Sequence, residues 1–204
     1  MKRMMIAAML ASGLTGQALA ETPLTQLMEQ ETRALRAISG DRLARYVTRP
    51  EIGVAYSRDW LVRQTVDEGD AQSACLAEAL YFEARGESVK GQFAVAEVIM
   101  NRVDSGDFPD TICGVIHQGT GRKFQCQFTY TCDGKPEHVA DQTTFARVDK
   151  VARLMAQGAP RRLTDKATFY HSRAVSPRWS RVFERTASIG VHHFYRKPTQ
   201  VSRN

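Results

Sequence analysis

The chain has 204 residues, 43% of them hydrophobic and 25% charged, with a formal net charge of +6. That length accommodates one domain with a real core and hardly two, and the composition excludes both a disordered chain and a membrane bundle. The basic residues are scattered rather than interleaved with aromatics, which speaks against nucleic acid as a partner, while the mild positive charge favours polyanionic surfaces such as cell wall.

Lys2 and Arg3 precede an apolar run, Met4 to Leu14, and then Ala18-Leu19-Ala20, the pattern of a secretory signal peptide over residues 1–20 cleaved after Ala20. The run is too short to span a bilayer. Its removal lowers the formal charge from +6 to +4, and the expected product is periplasmic or secreted without stable membrane insertion. Residues 21–69 read as a helical leader and linker. Leu24, Leu27, Met28, Leu35 and Ile38 recur at helical spacing toward Gly40, and Pro50, Gly53, Gly69 and many charges mark the linker, with Trp60 and Leu61 as its tether.

The compact domain is expected over 70–197, with a tail at 198–204. Asp70 or Ser73 caps a first core helix with Leu76, Ala77, Leu80 and Tyr81 on its apolar stripe, and Gly86 stops it. Ser88 caps a second helix, apolar on most sides from Phe93 to Val103. A turn-rich break leads to a short helix at about Thr111 to Gln118. In GTGRKFQCQFTYTCDG the alternation of Phe124, Cys126, Phe128 and Tyr130 predicts a small strand or loop insert, and Pro136 starts a helix that Gly158 and Pro160 close. The aromatic remainder reads as loops and short extended pieces folded back on the helices.

Cys75, Cys113, Cys126 and Cys132 predict two disulfides in an exported chain, with all three pairings open. Zinc is the competing use, but the spacings lack C-x-x-C and H-E-x-x-H. On a straight strand Cys126 and Cys132 would stand about 20 Å apart, so they pair only if the chain turns between them.

The chemistry centres on CLAEALYFEARGE, residues 75–87. Glu83 falls in the last turn of its helix, where unpaired carbonyls and aromatic neighbours both disfavour a negative charge and raise a carboxyl toward a proton donor. Arg85 opposes that effect if it points inward. Breaking a glycosidic bond commonly takes two carboxyl groups, and Glu87 is the second candidate, although Gly86 separates the two. Asn101 and Gln127 are amides suited to N-acetyl groups, and Tyr170, His171 and Trp179 are candidates for a sugar-binding groove. His171, His192 and His193 would serve a zinc amidase, but neighbours in a strand face opposite sides, and packing roles fit these histidines better.

In order along the chain, CLAEALYFEARGE, GQFAVAEVIMNRV, FPDTICGVI, CQFTYTCDG, FYH, SPRW and IGVHHFY resemble the SleB-like cell-wall hydrolases, the family of the spore-cortex-lytic enzymes, over about Ser73 to Arg196. The resemblance implies a lysozyme-like, mainly helical α+β fold. It also implies cleavage of peptidoglycan between N-acetylmuramic acid and N-acetylglucosamine by a lytic transglycosylase with one essential glutamate, here Glu83, and no cofactor. The alternatives are a zinc-dependent amidase that frees the peptide and a wall-binding protein without catalysis. Four cysteines, which suit a Gram-negative exported protein, and the lack of a peptidoglycan-binding repeat ahead of the domain depart from the spore enzymes.

Overall fold

The computed structural model describes residues 23–37, 53–122 and 125–198. The expected signal peptide, the end of the leader helix, Phe124 and most of the tail lie outside these residues. The chain divides into two units, Met1–Pro50 and Glu51–Asn204. In the first, α1 (Pro23–Ala37) forms where the leucine spacing predicts it, with Leu24, Leu27 and Met28 exposed.

The second unit begins its core earlier than the sequence reading allowed. The stretch expected to be a linker contains α2 (Arg58–Arg63), capped by the Ser57 hydroxyl, and Leu61 within it is only 2% exposed. Tyr56 and Trp60 set their rings against Phe93 at 5.3 and 6.2 Å between centres. The charges that suggested a linker, Arg58, Asp59 and Arg63, cover the outer face of one short helical turn. Burial of a few large apolar side chains outweighs the local polarity.

α3 (Ala71–Ala84) opens with a reciprocal cap: Ser73 N–H donates to Asp70 Oδ1 and Asp70 N–H donates to Ser73 Oγ, both at 2.8 Å. It buries Leu76, Ala77, Leu80, Tyr81 and Ala84. α4 (Val89–Val103) starts at the Ser88 cap and is buried from Phe93 to Ile99 without interruption, so it forms the centre of the domain. α5 (Ile112–Ile116) is capped by Thr111 and tied to α3 by the Cys75–Cys113 disulfide, with 5.4 Å between Cα atoms.

The insert takes the loop form of the strand-or-loop expectation and ends in a 3-10 turn, Thr129–Cys132, which closes the Cys126–Cys132 disulfide at 6.4 Å between Cα atoms. Phe128 and Tyr130 are both buried, while the Thr131 hydroxyl donates to Phe128 O at 2.9 Å, a local bond that competes with a sheet ladder. The helix expected from Pro136 starts later, as α6 (Gln142–Ala156) behind the Asp141 cap. Asp141 N–H donates to Tyr81 Oη at 3.0 Å, which fixes the entry to α6 against α3.

The aromatic tail forms a three-stranded antiparallel sheet in the order β1 (Phe169–Ser172), β3 (His192–Arg196), β2 (Glu184–Ile189). Tyr170 stands opposite Phe194 and His171 opposite His193. Among the described residues the architecture is therefore mainly helical with one small sheet, built from the extended pieces expected in the aromatic remainder.

Candidate active site

Glu83 leaves the last turn of α3 half-buried, and the first strand meets it: Tyr170 Oη donates to Glu83 Oε2 at 3.0 Å. α4 brings Arg102 behind Tyr170, its guanidinium carbon 5.9 Å from the tyrosine ring centre. The disulfide-closed loop adds Gln127, and with its amide assigned so that the oxygen faces Arg102, that oxygen accepts from both terminal nitrogens at 3.3 Å. The loop also adds Tyr130, stacked on Phe82 at 4.5 Å. Three separate elements thus converge on one carboxyl at the end of a helix.

Burial pushes the Glu83 carboxyl above its ordinary range, and the Tyr170 hydrogen bond and the Arg102 charge pull part of the way back. Burial raises the Tyr170 hydroxyl well above its usual range, and the neighbouring Glu83 charge adds to that, so it is a firm hydrogen-bond donor. Arg85, the cation expected to compete for Glu83, is exposed and lies over the Tyr81 ring at 5.1 Å. The cation that acts on Glu83 is Arg102, which sequence reasoning missed. A signal was present, because an arginine in a helix apolar on most sides points to a buried charge that needs an answer.

Glu87 has a different occupation. The chain turns after Ala84, so the four-residue spacing no longer puts the two carboxyls on one face. Glu87 Oε1 accepts the Val191 N–H at 2.8 Å and lies 3.0 Å from His192 Nδ1, with the carboxylate side chain only 7% exposed. It clamps the end of α3 to the β2–β3 hairpin. Burial lowers the His192 pKa, opposed by Glu87, and the imidazole edge meets the Tyr170 ring at 5.3 Å.

Glu87→Gln is expected to cost about 1–3 kcal/mol in urea unfolding while cleavage falls less than tenfold. A loss of activity as large as that of a Glu83 variant, with stability intact, would return Glu87 to the chemistry. Gly190, at the hairpin turn with φ +59°, would drive an added Cβ into the Glu87 carboxylate. Gly190→Ala is therefore expected to lower stability by about 2–4 kcal/mol, read by thermal unfolding.

The remaining predicted residues divide. Tyr170 touches Glu83 and Gln127 reaches it through Arg102. Asn101 does not join them: its Nδ2 donates to Ala167 O at 2.9 Å, and it lines a separate polar groove of about 680 Å³ with Asp104, Arg161 and Lys166. His171 Nδ1 donates to Ser172 O at 2.8 Å, which leaves Nε2 to accept from Tyr195 Oη at 3.0 Å. Trp179 packs against Phe169, Phe183, His171 and Tyr195, so both sit in an aromatic cluster of the sheet.

Residues 86–195 match the family model described as Cell Wall Hydrolase; Arg102, Gln127 and Tyr170 fall inside that segment and Glu83 just ahead of it. The spore cortex-lytic enzyme of Oceanobacillus iheyensis is 45% identical over 74 residues, which cover 36% of this chain and 24% of that protein. The spore cortex-lytic enzyme of Bacillus subtilis is 45% identical over 60 residues, 29% of this chain and 18% of that protein. The chain thus spans at most about a quarter of these curated relatives. Among solved structures, the catalytic domain of the Bacillus cereus SleB protein is 32% identical, with 66% of this chain and 98% of that chain covered and a TM-score of 0.46. The catalytic domain of the germination-specific lytic transglycosylase SleB from Bacillus anthracis is also 32% identical, with 64% and 100% covered and a TM-score of 0.47. With more than half its length under the family model, the chain belongs to the cell wall hydrolase family.

Proposed function

We propose that the chain cleaves peptidoglycan between N-acetylmuramic acid and N-acetylglucosamine as a lytic transglycosylase, with Glu83 as acid and then as base. The observation that carries this reading is the state of one carboxyl. Glu83 is half-buried at a helix end, its proton held more tightly than in water, and Tyr170 keeps it in place.

The chemistry needs no second carboxylate. Glu83 gives its proton to the glycosidic oxygen, the C1–O bond of the muramic acid breaks, and the 6-hydroxyl of that same sugar attacks C1 to close a 1,6-anhydro ring. The proton released from that hydroxyl returns to Glu83. Hydrolysis by two carboxyls would require a partner for Glu83, and Glu87 is engaged with the β2–β3 hairpin instead. The names of the relatives, spore cortex-lytic enzymes and a lytic transglycosylase, support the substrate and the reaction class. The pattern at residues 1–20 supports export to the wall.

Incubation of the purified protein with peptidoglycan, followed by mass spectrometry, tests the proposal. Anhydro-muramic ends are expected. Reducing ends would make the protein a muramidase, freed peptides an amidase, and retained protein on intact glycan a wall-binding protein.

A further inference from the structure

A guanidinium only 3% exposed, near the end of a largely buried helix, is costly unless both its N–H groups and its charge are answered. The N–H groups of Arg102 are answered by neutral partners. Nε donates to Thr168 O at 2.7 Å, and the Gln127 amide oxygen takes the two terminal nitrogens at 3.3 Å. The guanidinium carbon lies 5.4, 5.5 and 5.9 Å from the ring centres of Phe108, Phe128 and Tyr170. The carboxylate that answers its charge stands one phenol away, because Tyr170 donates to Glu83 at 3.0 Å.

We propose that Arg102 is a positioning residue that acts on Glu83 through Tyr170: it holds the phenol against the carboxyl and supplies the charge that stabilises the carboxylate between its acid and base steps. This rests on the reading of Glu83 as acid then base. A cation in direct contact with Glu83 would strip its proton before substrate arrived. Without any cation, the half-buried carboxylate left after proton transfer would lack electrostatic support. Placing the cation behind a hydrogen-bonded phenol gives an intermediate strength of coupling, and burial still dominates the resting carboxyl. Tyr170 reaches the carboxyl from β1, Arg102 of α4 acts on it across that phenol by its charge, and Tyr130 of the 3-10 turn lies in the field of Glu83 and of Glu78 of α3, while Arg85 is turned over Tyr81. Among these charged groups Arg102 is the cation aimed at Glu83.

The experiment compares the parent chain with Arg102→Gln and Arg102→Lys, each labelled with carbon-13 at the glutamate carboxyls and assigned with Glu83→Gln. In Arg102→Gln the Glu83 titration is expected to move up by about one pH unit, and the basic limb of kcat/KM to move with it. At a fixed pH near the parent optimum kcat is expected to fall about tenfold or more, with KM unchanged. Arg102→Lys, which keeps the charge, is expected to titrate within a few tenths of the parent. A folded Arg102→Gln whose Glu83 titrates as in the parent overturns the proposal. Should that variant fail to fold, Arg102→Lys decides: a limb displaced by a full unit despite the retained charge overturns it. The carboxyl titration needs no substrate. A shifted midpoint in a protein that cuts no glycan therefore refutes the functional reading alone, and an unshifted midpoint in an active enzyme refutes this inference alone.

Discussion

Glu83→Gln is expected to lower the rate of glycan cleavage about 100- to 10,000-fold, the usual loss when a general acid–base group is removed. The amide keeps the shape and still accepts from Tyr170, but it has no proton to give and cannot take one back. The same substitution has a second signature. Burial makes the folded chain hold the Glu83 proton more tightly than the unfolded chain does, so between the two pKa values the folded state binds more protons. Stability therefore falls as pH rises through that window, and above it ionised Glu83 is a net cost to the fold. Glu83→Gln is expected to be at least as stable as the parent at neutral pH, with the advantage vanishing below the pKa of an unfolded glutamate, near 4.3. Activity of the parent should decline as pH rises through the folded pKa, since the acid must be protonated to act. Anhydro-products at near the parent rate from the folded variant would remove Glu83 from the mechanism.

Glu97→Ala is expected to be the most damaging substitution to the fold itself, at about 3–5 kcal/mol in urea unfolding. Glu97 is 1% exposed in the middle of α4. Its oxygens accept the N–H groups of Leu163 and Thr164 at 2.9 Å each and the Thr164 hydroxyl at 2.6 Å. Truncation leaves three donors without a partner and opens a cavity beside them. These donors belong to the segment that leads into β1, which Asn101 holds again at Ala167, so the damage should reach Tyr170 and lower activity as well. Glu97→Gln keeps one acceptor and should lose about half as much. A change under about 1 kcal/mol for Glu97→Ala would show that water or a rearranged loop satisfies those groups equally well.

The helices were legible because their signals are local. Ser88 caps the helix it was expected to cap, a short helix forms next to Thr111 as expected, and the apolar run from Phe93 onward is the centre of the core. Residues 53–69 were misread because Leu61 and Trp60 are isolated apolar positions among charges, and what buries them comes from α4 and α6, far away in sequence. The alternation from Phe124 to Tyr130 left strand and loop both open for a related reason. A period of two is also produced by a turn that buries Phe128 and Tyr130 against helices while its threonines bond locally.

At the site the same division holds. Glu83 was readable as a candidate acid, since a helix end and aromatic neighbours lie within a few residues of it. The roles of the other charged groups were not. Glu87, the second candidate, accepts from the β2–β3 hairpin, and Arg85, whose direction the sequence left open, lies over Tyr81 while Arg102 stands behind Tyr170.

The sequence by itself therefore determined the capped starts of α3 and α4 and offered Glu83 as the candidate carboxyl, because caps, periodicity and helix-end electrostatics act within a few residues. Only the tertiary structure decided which tyrosine meets that carboxyl, which cation answers it and which glutamate is spent on a clamp. Those contacts join residues 83 and 170, 102 and 168, and 87 and 191. Hydrogen bonds and charges of that kind depend on distances of a few ångströms that no local pattern encodes.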